Sequence, residues 1–419
     1  MAPINKLSPF EDMMRLIDSL IHSGRHNDAD TVVGNLLQSH PLSARGLSIA
    51  SQVKQRNFDL VSAESLGRMA VICQPGYWQI YANYSKVRAL LANTGVSIKI
   101  LRRCSIMAPD VKSIQTQLGL MHLAAGHWRT GLKYYENRDS RTKFNRDMEA
   151  LNTPIWQGEN IAGKKFLLVG EQGAGDIIQF IRFACHLAER GAHVTVSCAK
   201  ELHEIIASAK GVSRVVGSRV SRFDYAEIIM SLPYKLDIDE KEINFSKPYL
   251  FTKGRGYSLP KTDRFRVGIC WAGNPKHKND WARSIPFPLF APLLALEGVE
   301  FFSLQVGERA EDIAEGDAPI KDLSPYLNSF ADTAKVIEQL DLVISIDSSV
   351  AHLAGALGKP IWTLLSRNGE WRWMRATEHS PWYPSMRLFW QSKLGDWLSA
   401  LDQVCTALKE ESQAKIRMH

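Results

Sequence analysis

Cysteine is sparse and scattered in this sequence: six residues, at 73, 104, 185, 198, 270 and 405, with no C-x-x-C pair among them. A zinc ribbon needs such pairs and a disulfide scaffold needs denser cysteine, so both are excluded, and reduced thiols in a cytoplasmic protein are the expectation. Long apolar runs are missing too. The opening "MAPINKLSPFEDMMRLIDSLIHSG" sets charges among its apolar positions at helical spacing, unlike the unbroken apolar core of a secretory signal. No stretch is long and uncharged enough to span a bilayer. Nor is charge of one sign massed anywhere. A net charge of +7 spread over 419 residues favours anionic small ligands and argues against a nucleic-acid groove.

Complete glycine fingerprints are also absent. "FLLV" leads into "GEQGAGDIIQF", where Gly173-x-Gly175 is followed by Ile178 instead of a third glycine. The next apolar run, "HVTVSCAK", leaves through Ser197 and Cys198 without the acid that would hold a ribose. A nicotinamide or flavin site is therefore disfavoured, and without a Gly-Lys-Ser/Thr ending so is a Walker loop. An acid, Asp176, stands instead at the helix mouth, where it would repel the phosphate that a helix N-terminus attracts. This turn is expected to serve another ligand.

What is present is an ordinary globular composition, 45% hydrophobic and 23% charged, in a chain long enough for two or three domains. A period of 34 residues runs through its first third. Pro41, Pro75 and Pro109 share one register; Ala29, Ala63, Ser97 and Gly131 share another; Gly24, Phe58, Ala92 and Gly126 a third; Val33, Gly67, Leu101 and Tyr135 a fourth. Small residues at fixed intervals let paired helices approach, and prolines punctuate the turns between them. The pattern resembles the tetratricopeptide repeat, best in "QLGLMHLAAGHWRTGLKYYE", and Lys143 stands where the next proline would fall. Residues 1–145 are expected to form the array. Such a slab presents a concave peptide-binding face or serves to build a homo-oligomer, and both uses stay open.

After a polar connector containing Pro154 and Gly158, short aliphatic runs alternate with helical stretches: "FLLVG", "HVTVSC", "SRVVG" and "AEIIMSL", then "RVGICWAGN", "EFFSLQVG", "DLVISID" and "KPIWTLLS". The alternation predicts two parallel-sheet lobes, 146–258 and 259–419, with a cleft at the carboxyl ends of their strands. The amphipathic segment 395–409 is expected to pack back along the lobes as a closing helix.

Three segments carry a resemblance. "GEQGAGDIIQFIRF" resembles the first-domain loop of glycosyltransferase family 9, the bacterial heptosyltransferases, in which an aspartate reaches an interdomain cleft. "VISIDSSVAHLAGALGKPIWTLL" is similar to the second-domain signature of that family. "WAGNPKHKNDWARSIPF" resembles its lobe-opening strand and basic loop, with Arg283 where family members carry lysine. With "EWRWM" and "SPWYP" the likeness covers roughly 154–405. It implies a GT-B pair of Rossmann-like domains behind a tetratricopeptide-like array, and an inverting transfer of a sugar from a nucleotide-diphosphate donor to a hydroxyl. Heptose is implied by the resemblance alone. No cofactor beyond the nucleotide-sugar co-substrate is expected.

Such a transfer needs a base on the acceptor and charge stabilisation on the departing diphosphate. Asp176 is the candidate base, in an acceptor loop with Gln172, Gly173 and Gly175; helix capping is its alternative role. On the donor side, the amides of Ser348 and Ser349 open a helix whose dipole favours phosphate. Asp347 is placed for donor-sugar hydroxyls or for capping, and His352 for the diphosphate or an interior hydrogen bond. Arg283 and Lys278 are the counter-charges that replace a metal. Asn274 and Gln305 face the donor or form turns, while Trp371, Trp373, Trp382 and Tyr383 are read as core. The partners expected are a nucleotide sugar and a protein acceptor gripped by the repeats. The rival readings are a scaffold with inactive lobes and a transferase acting on a surface glycan.

Overall fold

The computed structural model describes residues 8–217, 222–243, 247–254, 256–277, 279–315, 318–374 and 377–418. The chain divides into two compact units, Met1–Asn137 and Arg138–His419. The break precedes the expected boundary at 145 because the helix after it packs with the second unit.

The first unit is a helical array: α1 (Pro9–His22), α2 (His26–Ser39), α3 (Ala44–Arg56), α4 (Leu60–Cys73), α5 (Trp78–Leu90), α6 (Thr94–Met107), α7 (Lys112–Ala124) and α8 (Trp128–Tyr135). These pair in sequence as helical hairpins, and the registers acquire physical causes. Gly24, Phe58, Ala92 and Gly126 all have left-handed backbones, with φ of 75°, 61°, 59° and 77°, where the chain turns within each hairpin. A side chain there costs about 1–2 kcal/mol, so Phe58 and Ala92 are held by the packing of their neighbours. Pro41, Pro75 and Pro109 lie in the turns between hairpins. Before each, the helix cap leaves the helical region, with φ of −136°, −143° and −144° at His40, Gln74 and Ala108, as the proline ring requires.

The small-residue register marks the crossing of the two helices within a hairpin. Ser51 Oγ donates to the Ala63 carbonyl at 2.6 Å, and one repeat later Ser97 Oγ donates to the Ser85 carbonyl at 3.0 Å. The equivalent positions then become Gly119 and Gly131, so close that a Cβ on Gly119 would lie 3.0 Å from the Gly131 carbonyl oxygen. The crossing is conserved in geometry while its chemistry changes from hydroxyl to bare backbone.

The second unit opens with α9 (Asp139–Ala150), whose Phe144 and Met148 pack on Leu167, Val169, Ala226 and Ile228 of the first lobe's sheet. That sheet is wholly parallel, in the order β3-β2-β1-β4: β1 (Lys165–Val169), β2 (His193–Ser197), β3 (Val212–Val216) and β4 (Tyr225–Ile228). Between β1 and β2 lies α10 (Ala174–Phe180). The run "AEIIMSL" is a strand only to Ile228; the chain then turns helically at Ile229–Ser231.

Six parallel strands form the second lobe: β5 (Phe265–Cys270), β6 (Val299–Ser303), β7 (Ile320–Asp322), β8 (Leu342–Ile346), β9 (Ile361–Leu365) and β10 (Met386–Trp390), in the order β10-β9-β8-β5-β6-β7. Strand order reverses between β5 and β8, and in doubly wound sheets the crevice outside that point is where ligands bind. Helix α11 (Ser349–Ala356) follows β8. The last helix, α12 (Trp397–Met418), inserts Trp397, Leu401, Val404 and Leu408 into the core of this lobe.

Candidate active site

Burial of the strand cores leaves the loops at their carboxyl ends to face each other across a cleft of about 960 Å³. Gln172, Gly173, Gly175 and Asp176 line it from the first lobe; Asn274, Arg283, Gln305, Asp347, Ser348, Ser349 and His352 line it from the second. Lys278 lies outside the described residues.

Helices α10 and α11 meet mouth to mouth. A Cβ on Gly175 would come within 2.9 Å of His352 Cδ2 and 3.4 Å of Ser349 Cα. This glycine is therefore required for the close approach of the two helix N-termini, a different reason from the access for an acceptor expected of it. Gln172 enters the turn with a φ of 58°. Asp176 Oδ2 accepts the Gly173 amide hydrogen at 2.9 Å, so the capping role is real and one oxygen is engaged. The other oxygen is paired with Arg372, which also binds Glu370 and donates from Nε to Gln179 Oε1 at 2.7 Å. Burial raises the Asp176 carboxyl above its ordinary value, with Arg372 opposing and Glu370 adding to the rise.

Glu171, beside this turn, is fixed from below. Arg138 holds it through two bonds of 2.9 and 2.6 Å, Ser140 Oγ donates at 2.5 Å and the Met230 amide at 3.2 Å. The start of α9 thus anchors the loop that carries Asp176.

At the opposite mouth Ser348 caps α11, its Oγ accepting from the Val350 amide at 3.2 Å and contacting Ser345 Oγ at 2.9 Å. Burial pushes Asp347 up to about 6, with Glu370 adding to the rise. His352 Nδ1 pairs with Tyr383 Oη at 2.9 Å, and burial among Arg372, Arg182 and Arg283 holds its ring well below the ordinary imidazole value. It is a neutral interior histidine with one edge on the cleft. Arg283 donates to Asp280 Oδ1 and to the Asp347 carbonyl, both at 3.2 Å, which fixes the guanidinium at the end of β8.

Two donor-side candidates have local duties. Gln305 Oε1 accepts the amides of Trp271 and Ala272 at 3.2 and 3.0 Å, shaping the loop after β5. Asn274 Oδ1 accepts the Lys276 amide at 3.0 Å in a turn. Trp371, Trp373, Trp382 and Tyr383 are buried, as read from the sequence. Among the described residues no cluster of three His, Cys, Asp or Glu could hold a metal. The D-x-D pairs of the sequence serve elsewhere: Asp28 and Asp30 pair with Arg25 and Lys54, and Asp239 caps the turn Glu240–Glu242.

Sequence reasoning missed Arg372, Glu370 and Gln179. The motif "EWRWM" drew attention to its aromatics, and only the fold brings its arginine to α10.

Residues 301–395 match the family model described as Glycosyltransferase family 9 (heptosyltransferase). The match lies within the second lobe and contains Gln305, the Asp347–His352 turn and Arg372, but begins after Asp176 and Arg283. Protein FlbA of Caulobacter vibrioides is 28% identical over 345 residues, covering 72% of this chain and 56% of FlbA. The chain thus spans little more than half of that relative's length. Among solved structures, a family 9 glycosyl transferase from Veillonella parvula superposes with a TM-score of 0.44 at 11% identity, over 61% of this chain and 99% of that one. A mutant O-GlcNAc transferase of Thermobaculum terrenum superposes with a TM-score of 0.34 at 12% identity, over 98% of this chain and 94% of that one. Among the described residues no helix is long and apolar enough to cross a membrane.

Proposed function

We propose that the protein is a metal-independent, inverting glycosyltransferase that moves a sugar from a nucleoside-diphosphate donor to a hydroxyl, on a protein acceptor held by the helical array. The observation that carries this reading is the pairing of unlike helix mouths across one cleft. Asp176 presents a carboxylate from the first lobe, while the hydroxyl-capped mouth of α11 and Arg283 face it from the second.

In this reading the diphosphate lies on the α11 mouth, where amide hydrogens and the helix dipole meet its charge, and Arg283 neutralises it as the glycosidic bond breaks. Helix mouth and guanidinium supply the positive charge that a divalent ion would otherwise bring. Asp347 is within reach of the donor sugar. Asp176 takes the proton of the acceptor hydroxyl as that oxygen attacks the anomeric carbon from the face opposite the leaving diphosphate, which inverts the centre.

The test is turnover of a panel of nucleotide sugars by the full chain and by Asp176→Asn. Release of nucleoside diphosphate by the wild type, with a loss in the variant, is expected. Equal turnover by both would remove the assigned base. Deleting residues 1–137 from a protein that still melts cooperatively tests the array: transfer to the acceptor should fall while donor hydrolysis persists, and unchanged transfer would reject a gripping role.

A further inference from the structure

We infer that Arg372 is a positioning residue through which the donor lobe fixes the orientation and the local charge environment of Asp176 across the cleft. The inference rests on the reading of Asp176 as the base.

Three observations converge on it. Arg372 belongs to the second lobe, in the turn Trp371–Trp373, yet grips two residues of α10 one turn apart, Asp176 and Gln179. Its guanidinium is itself fixed: the residue is 2% exposed, and its carbonyl accepts from Trp382 Nε1 at 2.8 Å. The planar fork thereby transfers a rigid reference from one lobe to a carboxylate on the other. Finally, Glu370 competes for the same guanidinium, so the cation is shared between a cleft-facing acid and the base.

The charges around Asp176 come from every element packed on it. From its own loop comes Glu171, and from the second lobe come Arg372, Glu370 and, at the α11 mouth, Asp347 and neutral His352. Among these Arg372 is the group that favours the ionised form against burial and the neighbouring acids. Without Arg372 the buried carboxyl would keep its desolvation and its acidic neighbours with no cation beside it.

The experiment is the pH dependence of kcat/KM for nucleoside-diphosphate release from about pH 5 to 9, with the nucleotide sugar the wild type turns over best. It is run on the full chain and on Arg372→Gln, Arg372→Lys, Glu370→Gln and Asp176→Asn. Loss of the guanidinium in Arg372→Gln should move the acidic limb up by about one pH unit or more, and Arg372→Lys, which keeps the charge, should return it most of the way. Glu370→Gln should move the limb down. A limb in Arg372→Gln that coincides with wild type overturns the inference. Should Arg372→Gln not fold, Glu370→Gln decides, since that side chain is 43% exposed; an unmoved or raised limb then overturns it. Inactive Asp176→Asn with unmoved limbs in the others removes only the role of Arg372, whereas active Asp176→Asn removes the base itself and the inference with it.

Discussion

The two lobes each send a strand into a helix at the cleft, and the two junctions are built alike but finished differently. After β1 the turn ends in Asp176, whose carboxylate caps its own helix by accepting the Gly173 amide hydrogen. After β8 the acid, Asp347, comes before the helix, and the cap is a serine hydroxyl. One helix mouth is thus already occupied by a negative charge, while the other offers dipole and amides to an anion from outside. The contrast teaches that a glycine-rich or hydroxyl-rich turn is not a phosphate site by composition; what decides is whether an internal carboxylate already occupies the mouth.

The largest effect should come from neutralising the occupied mouth. Asp176→Asn preserves an oxygen for the Gly173 amide but cannot take a proton, so turnover should fall by about 10²–10⁴-fold while nucleoside-diphosphate affinity stays within a few-fold. A comparable fall in affinity would mean that both mouths bind the donor. Next, Arg283→Ala removes the proposed charged partner of the diphosphate and should weaken binding by roughly 10- to 100-fold, measured by titration with ADP, GDP, UDP and CDP. Unchanged binding of every nucleotide would place the phosphates elsewhere.

Making the second mouth resemble the first is a finer probe. Ser349→Asp puts a carboxylate in the first turn of α11, where it favours the helix but repels phosphate. Affinity should drop roughly tenfold with no loss in melting temperature. A fall in both would report damage rather than repulsion.

The smallest effect is in pH. Asp347 titrates at about 6 in the folded protein, above its ordinary value of 3.8. Below that pH it is neutral, so nucleoside-diphosphate affinity should be several-fold tighter at the acidic end and weaken as pH rises through 6. The folded state binds the proton more tightly than the unfolded one, so this residue's contribution to stability is lost as pH rises across the same window. Asp347→Asn should flatten both dependences.

What could be read beforehand was what depends on neighbours in sequence. The 34-residue registers report left-handed turns at Phe58 and Ala92 and helix crossings at Ala63 and Ser97, all of them local. The cleft loops were legible for the same reason, since each follows an aliphatic strand. What was hidden is what joins distant segments. Arg372 meets Asp176 across 196 residues, and no pattern in either stretch announces the other. Gly175 looked like an opening for a ligand and is a contact for His352. Helix α9 reads as polar, yet its few apolar residues are core to the sheet that follows. Strands β7 and β10 escaped notice: one is only three residues long, and the other is "MRLFW", which flanking tryptophans and prolines disguise.

The measurement closest to the central claim is a crystal structure of the full chain with a bound nucleoside diphosphate. The account predicts phosphate oxygens about 3 Å from the Ser349 amide and from the Arg283 guanidinium, with the Asp176 carboxylate facing the empty acceptor side. Phosphates seated instead on the Gly173–Gly175 turn would contradict it.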